Sequence, residues 1–588
     1  MTETTADFLL ARLTDWGVRR LYGFPGDGIN GLLGALDRAM DRFDYVQVRH
    51  EEEAAFMACA HAKFTGEPGV CLATSGPGAI HLLNGLYDAK ADHQPVLAIV
   101  GQQARSALGG TYQQEVDLHT LFKDVAGAFV ETCMTPAQVR HLVDRALRVA
   151  IARRTPTCLI VPSDVQDEPW KDPPRAHGTL HSGVGAAAMP ATPPRAALEQ
   201  AAEVLNAGEK VAILVGAGAL GAGAQVAQAA DLLGAGAAKA LLGRAALPDD
   251  LPWVTGSIGL LGTRPSWEMM RDCDTLLMIG SGFPYAEFLP PEGQARGVQI
   301  DLDPGMLSLR HPMEANLCGD AAATLEALIP LLTRKPDRRW RETIAANVAD
   351  WWREEEERAM IDADPINPER LFFELNPRLP DRAMITADSG TAANWFARAL
   401  KLREGMSATL SGGLATMAPA ISYAAAAKFA HPGRPAVAFI GDGAMQMLGL
   451  QSLITVARSW RDWEDPRLAV AVLNNGDLNQ VTWELRAMGG FPRIEETQGV
   501  PPFDYAGYAR MLGLGGIRVE RPEDLGPAWD EALSADRPVL IDALVDPDVP
   551  SLPPHVTASQ ARNFARALAR GDPERSGVMR QSLKRLLT

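Results

Sequence analysis

Apolar positions follow two rhythms along the chain. Phe8, Leu9, Leu13 and Trp16 recur near helical spacing, and Gly17 stands where that helix should end. Val18–Phe24 then reads as a strand, Pro25-Gly26 as a turn and Ile29–Met40 as a helix. Apolar runs at Tyr45–Arg49, Gly69–Thr74 and Pro95–Val100 are each separated by a helix-length stretch. Short apolar runs alternating with helices predict a parallel sheet covered on both faces.

The rhythm breaks between Asp172 and Pro194, a Pro-, Gly- and Ala-rich stretch that reads as a linker able to pack on the surface. It resumes near Arg195 with strands at Val211–Val215, Thr275–Ile279 and Gly297–Ile300. A charged helical connector (Lys335–Ala363, with Glu354-Glu355-Glu356-Glu357) leads to a third alternating unit. Its strands are expected at Ala383–Thr386, Ala436–Ile440, Leu468–Leu473 and Val539–Ala543. The fold class is therefore α/β, with three doubly wound parallel-sheet domains at 1–175, 190–335 and 365–547 and a tail at 548–588. A chain of 588 residues suits that division, since domains commonly run to roughly 150 residues.

Composition narrows the function. Lys and Arg number 56 against 72 Asp and Glu, a formal net charge of −16, which does not suit non-specific nucleic-acid binding. No apolar run approaches the ~20 residues of a membrane span, and the N-terminus shows no basic-then-apolar leader, so a cytoplasmic protein is expected. Cys59, Cys71, Cys133, Cys158, Cys273 and Cys318 are scattered without a C-x-x-C pair, which favours buried free thiols over disulfides or zinc.

The sharpest chemical signal is Gly441-Asp442-Gly443-Ala444 after one strand, with Asn474-Asn475-Gly476-Asp477 after a later one. A carboxylate and an amide oxygen leaving adjacent strands suit Mg²⁺, which takes oxygen ligands and binds phosphates through few protein groups. A lone G-D-G is as well explained by a tight turn; the following N-N makes the pair specific. A second signal is Arg49-His50-Glu51, a strand end ahead of the apolar helix Glu52–Ala62. Glu52 and Glu53 read as a solvated helix N-terminus favoured by the dipole, whereas Glu51 immediately follows the strand. Gly216-Ala217-Gly218-Ala219-Leu220-Gly221 after Val211–Val215 fits G-x-G-x-x-G, but Gly236–Leu242 offers no acidic residue for an NAD ribose.

On these motifs the sequence resembles the thiamine-diphosphate (ThDP) enzymes of the acetolactate synthase and pyruvate oxidase group, and within it the FAD-containing bacterial pyruvate oxidases, over nearly its whole length. The resemblance implies a pyrimidine-binding first domain, an FAD-type central domain and a diphosphate-binding third domain. It implies Asp442, Asn475 and Asp477 as metal ligands, beside the Gly443-Ala444 turn. Glu51 becomes the carboxylate that bonds the aminopyrimidine, so that its imino form removes the thiazolium C2 proton. Gly413-Leu414-Ala415-Thr416-Met417 resembles the family's G-L-G-T-M stretch. The Ala415 carbonyl would then accept from the aminopyrimidine and Met417 would wedge under the coenzyme, with Thr416 between them. Asp388-Ser389-Gly390-Thr391 resembles a diphosphate-contacting turn, with Gly390 and Thr391 at a helix N-terminus. The FAD contacts implied are Gly216 and Gly218, then Gly259-Leu260-Leu261-Gly262, then Gly280 with Phe283-Pro284-Tyr285, and Asp301 with Asp303.

Gln114, in Tyr112-Gln113-Gln114-Glu115, matches a residue beside the reacting carbon, and Glu484 and Val481 match substrate-pocket positions. The sequence departs from quinone-linked pyruvate oxidases at Gln113 and Gln480, where those enzymes carry Phe; Gln480-Val481-Thr482-Trp483 leans toward the synthases. The step from Asp442 to Asn475 is longer than usual, with the surplus expected in the polar loop Ser459–Pro466. The activity implied is oxidative decarboxylation of a 2-oxo acid, pyruvate first, with electrons passed through FAD to a quinone or oxygen; the alternative is a carboligase or plain decarboxylase with a structural flavin. The family also implies a homodimer or homotetramer, with Glu51 and the metal site acting from different subunits. In the tail, Arg562, Arg566, Arg570, Arg575, Arg580, Lys584 and Arg585 face only Asp572 and Glu574, around a weak apolar face of Phe564, Ala567 and Leu568. This fits a peripheral contact with the inner membrane face or a surface helix closing over the subunit.

Overall fold

Six short strands build each of three sheets in the computed structural model, which describes residues 3–187, 192–551, 553 and 555–587. Residues 188–191, inside the expected linker, and Thr588, at the end of the tail, lie outside the described residues.

The first sheet contains β1 (Arg20–Gly23), β2 (Asp44–Gln47), β3 (Gly69–Ala73), β4 (Val96–Gln102), β5 (Val130–Thr132) and β6 (Pro156–Pro162) in the order β2-β1-β3-β4-β6-β5. The second contains β7 (Val211–Val215), β8 (Gly236–Lys239), β9 (Val254–Ser257), β10 (Thr275–Ile279), β11 (Arg296–Asp301) and β12 (Ala315–Cys318) in the order β12-β11-β10-β7-β8-β9. The third contains β13 (Met384–Ala387), β14 (Ser407–Thr409), β15 (Ala436–Gly441), β16 (Leu468–Asn474), β17 (Gly515–Val519) and β18 (Val539–Leu544) in the order β14-β13-β15-β16-β18-β17. Strands pair in parallel throughout, and β3, β4, β7 and β10 are buried along their full length. That burial explains why their sequences are continuous apolar runs rather than alternating ones. Apart from the exchanged edge pairs β6-β5 and β18-β17, the strand order reverses once in each sheet, between β1 and β3, β7 and β10, and β13 and β15. Such reversals open a crevice at the carboxyl ends of the strands.

The chain divides into two compact units, Met1–Ala188 with Ser411–Ala436 and Gln446–Pro466, and Met189–Leu410 with Val437–Met445 and Arg467–Thr588. In the first unit, helix Glu51–Thr65 packs on helix Pro419–Ala430, an element from the expected third domain. Asp442 opens a single helical turn that widens into a π-helical turn over Met445–Gly449 before regular helix resumes at Leu450–Ser459. The polar stretch 459–466 is a 3₁₀ turn and loop leading to β16.

The Pro/Gly stretch after Asp172 is irregular but held: Arg12 and Arg140 donate to the Ser182 carbonyl, and Arg148 donates to Gly183 and Gly185. The tail forms helices Ala558–Ala569 and Arg575–Leu587. Phe564 stacks on Trp483 and Ala567 is buried. No described helix is long and apolar enough to cross a membrane. Five cysteines are buried and Cys318 is exposed.

Candidate active site

Glu51 is the first residue of its helix, directly after the extended His50 cap that ends the β2 connection. Its carboxylate is nearly buried and its Oε2 lies 2.9 Å from His81 Nδ1. Gly78 keeps that space open, because a Cβ there would sit 3.0 Å from Glu51 Oε1. The His50 and His81 rings stack at 4.4 Å, so two imidazoles and one carboxylate share one small volume. Glu52 accepts from Asn84 Nδ2 at 2.6 Å, and the same amide donates to Thr416 Oγ1 at 2.9 Å. One side chain thus ties the Glu51 helix to the Ala415-Thr416-Met417 turn within this unit. Ala415 (φ 55°) and the following Ala418 (φ 76°) both occupy the left-handed region, unusual for a residue with a Cβ. Gln114 is also left-handed (φ 62°), and its Cβ and carbonyl press on Gly76, where any side chain would collide.

Glu53 corrects the expectation of a solvated pair. It is fully buried, accepting from Arg49 N at 3.0 Å, Ser452 Oγ at 3.1 Å and Thr455 Oγ1 at 3.2 Å. Burial outweighs these bonds and pushes its carboxyl up to about 7.

In the second unit Asp442 directly follows β15 and is 2% exposed. Its Oδ1 accepts from Gly443 N at 2.8 Å, and its Oδ2 accepts from Asn475 N at 2.9 Å and Gly476 N at 2.6 Å. Desolvation still lifts its carboxyl to about 6, the side of the balance a bound cation would reverse. Asn475 Oδ1 accepts from Asp477 N at 3.0 Å. The Asp477 carboxylate is occupied by Arg493 Nε at 2.9 Å and Asn479 Nδ2 at 3.2 Å, which leaves its main-chain carbonyl as the donor it could offer an ion. The set is oxygen-only and fits a hard divalent cation such as Mg²⁺. Gly390 (φ 86°) caps helix Thr391–Arg398 beside Asp388, whose N–H is fixed by the Phe439 carbonyl. The N–H groups at this helix N-terminus fit a diphosphate. Gln480 accepts from Asn394 Nδ2 at 2.6 Å and donates to Glu484 at 2.8 Å, while Val481 is 49% exposed. A cleft of about 480 Å³ borders Asn475 and Gly476, with Phe503, Asp504 and Arg518 on its far walls.

The central sheet gathers the remaining candidates at the carboxyl ends of β7, β9, β10 and β11. Gly216 and Gly218 abut Gly280: a Cβ on Gly216 would lie 2.3 Å from the Gly280 carbonyl oxygen, and Gly218 N donates to that oxygen at 3.0 Å. These glycines are needed for the two turns to pass each other, independently of any ligand. Gly259 (φ 104°) lies against the Phe283 ring, which meets Tyr285 edge-on at 5.6 Å, with Pro284 between them. Arg398, fully buried, donates to the carbonyls of Leu260 and Gly262, while Leu261 packs on the third-domain core. Asp301 and Asp303 cap their own turn, accepting from Asp303 N and Gly305 N. His81, Asn84, Arg398 and Arg493 belong to no motif of the sequence. His81 alone carried a signal, following the Gly76-Pro77-Gly78 turn that leaves β3.

Three nucleotide-type parallel-sheet domains with this oxygen donor set define a coenzyme-binding α/β enzyme. Family models agree: the N-terminal thiamine pyrophosphate-binding domain matches residues 3–121, the central domain 198–328 and the C-terminal thiamine pyrophosphate-binding domain 388–543. A putative thiamine pyrophosphate-containing protein, YdaP, of Bacillus subtilis is 34% identical over 100% of this chain and 99% of its own. The pyruvate oxidase of Lactiplantibacillus plantarum is 30% identical over 92% of this chain and 88% of its own. The acetolactate synthase isozyme 2 large subunit of Escherichia coli is 29% identical over 92% of this chain and 95% of its own. The chain belongs to the thiamine pyrophosphate enzyme family and is a ThDP-dependent enzyme of the pyruvate oxidase and acetolactate synthase group.

Proposed function

We propose that the protein carries out ThDP- and Mg²⁺-dependent oxidative decarboxylation of a 2-oxo acid, with pyruvate the first candidate and FAD passing electrons to a quinone or oxygen. The observation that carries the oxidase reading is the cluster of turns at the central switch point: Gly216–Gly221, Gly259–Gly262, Gly280–Tyr285 and Asp301–Asp303 line one end of the sheet, and β8 brings no carboxylate for an NAD ribose.

ThDP supplies the nucleophilic carbon and electron sink for decarboxylation, and FAD a two-electron acceptor. Asp442, Asn475 and the Asp477 carbonyl would hold Mg²⁺, with Gly390, Thr391, Gly443 and Ala444 facing the diphosphate. Glu51 would bond the coenzyme's pyrimidine nitrogen, with Ala415 accepting from its amine and Met417 supporting its bend. His81, bonded to Glu51, orients that carboxylate. Gln114, Gln480, Val481 and Glu484 would shape the 2-oxo acid pocket. Leu260, Leu261, Phe283, Pro284, Tyr285, Asp301 and Asp303 would contact FAD. As in the family, the working form is a homodimer or homotetramer in which Glu51 of one subunit serves the metal site of another. We place it in the cytoplasm.

One observation favours a second reading, a carboligase or non-oxidative decarboxylase with a structural flavin. Gln480 is locked between Asn394 and Glu484 where an aromatic ring would assist electron transfer. Anaerobic addition of pyruvate to purified protein decides between them. Bleaching of the flavin band supports the oxidase; an unchanged spectrum with acetoin-type or aldehyde product sinks it in favour of the second.

A further inference from the structure

Beneath the Ala415-Thr416-Met417 turn lies a buried charged cluster that the proposed chemistry does not use. Lys63 Nζ donates to Asp92 Oδ2 at 2.6 Å and to Tyr423 Oη at 2.9 Å. Tyr423 Oη in turn donates to Asp88 and lies 3.4 Å from Cys59 Sγ. The side chains of Lys63 and Asp92 are 5% and 0% exposed. Both oxygens of Asp92 also reach the turn: Gly412 N donates to Oδ2 at 3.0 Å and Gly413 N to Oδ1 at 2.5 Å. Gly413 approaches so closely that a Cβ would sit 2.7 Å from the Ala91 carbonyl oxygen. Two further bonds fix the far side, Thr416 N to Ser411 Oγ at 3.0 Å and Asn84 to Thr416 Oγ1.

A buried ion pair is a poor source of stability compared with apolar packing, so its retention calls for another role. The turn it grips holds two alanines in the left-handed region, a conformation that persists only where surrounding bonds over-determine it. Asp92 supplies two such bonds at consecutive N–H groups. An amide in its place could not accept both and would present an N–H₂ to Lys63 or to a main-chain donor. Lys63 donates to the same carboxylate from its other side.

We propose that Asp92, held by Lys63, is a positioning residue: it clamps Gly412 and Gly413 so that the Ala415 carbonyl is fixed for the coenzyme's aminopyrimidine. This rests on the reading that Ala415 and Glu51 address that ring. The test measures hydrogen–deuterium exchange at C2 of bound ThDP in the holoenzyme, at saturating coenzyme and Mg²⁺ and without 2-oxo acid. Thermal midpoints are recorded in parallel. Asp92→Asn should slow exchange about tenfold or more while the coenzyme stays bound. Gly413→Ala, which pushes the same turn off Ala91, should do likewise and serves if Asp92→Asn does not accumulate. Exchange within about twofold of the parent in a folded variant, whatever its thermal midpoint, overturns the proposal and leaves Ala415 and Glu51 untouched. A parent enzyme that does not accelerate exchange, or a Glu51→Gln variant as fast as the parent, overturns the underlying reading and the proposal with it.

Discussion

Arg486 and Asp572 form a fully buried, two-bond ion pair, with Nε and one terminal nitrogen each 2.9 Å from a carboxylate oxygen. The pair joins the segment after Gln480, Val481 and Glu484 to the turn between the two tail helices. Arg486 also donates to Glu574, and Arg493 links Glu574 to Asp477. The tail is thereby wired through Arg493 to Asp477 within one unit. Asp572→Asn should therefore destabilise the protein by about 1–3 kcal/mol, because the buried guanidinium keeps Glu574 but loses one of its two carboxylate partners. Urea unfolding and limited proteolysis of the tail check this; a loss under about 1 kcal/mol would show the pair to be idle.

Glu53 sets a pH dependence. Its carboxyl is raised from 4.5 to about 7 when folded, so the native state holds the proton more tightly than the unfolded chain. The stabilisation is full below pH 4.5 and fades as pH rises through about 7. A raised acid pKa therefore favours the acidic side. Glu53→Gln should remove this slope, recovering up to about 3 kcal/mol relative to the parent at pH 8 against pH 4.5. Thermal midpoints of both proteins across that range decide it, and parallel curves would refute it.

Asp442→Asn should lose coenzyme on gel filtration and cut turnover about 100-fold or more, since an amide cannot supply the charge a divalent ion needs. Its thermal midpoint without coenzyme should fall, because an amide accepts through one oxygen only and would turn its N–H₂ on Gly443 N or on Asn475 N and Gly476 N. Retention of both Mg²⁺ and ThDP would remove Asp442 from the site.

Gly216→Ala should unfold the central domain at lower temperature whether or not flavin is present, because the added methyl meets the Gly280 backbone at 2.3 Å. Differential scanning calorimetry on flavin-stripped and flavin-loaded protein tests it. A midpoint unchanged in the stripped form would mean that the glycine is kept for the ligand alone.

Most long parallel strands were legible because double-sided burial writes them as unbroken apolar runs, as in β4 and β10, although β6, seven residues and buried throughout, was missed. Short or edge strands escaped: β8 is Gly-Ala-Ala-Lys, β14 has three residues, and β17 opens on two glycines. Asp442 and Asn475 could be paired from sequence because each directly follows a strand, and their N–H···O bonds follow from those strands being neighbours. Acidic runs misled. Glu51–Glu53 and Glu354–Glu357 look alike as acidic runs, yet the first buries Glu51 and Glu53 and the second Glu355. Glu355 takes Arg358 three residues on in its own helix. Ser452 and Thr455, which hold Glu53, lie far along the chain, and helical spacing carries no trace of them. Lys63 and Asp92 were hidden for the same reason.

The π-turn Met445–Gly449 carries one residue more per turn than the helix it interrupts. The widened turn absorbs that residue, so the helix Leu450–Ser459 keeps the phase that an uninterrupted α-helix one residue shorter would have. Straightening the turn without deleting a residue would swing the later side chains by roughly 100° and turn Ser452 and Thr455 away from Glu53, leaving that carboxylate with one main-chain donor. The wide turn thus acts as a phase correction.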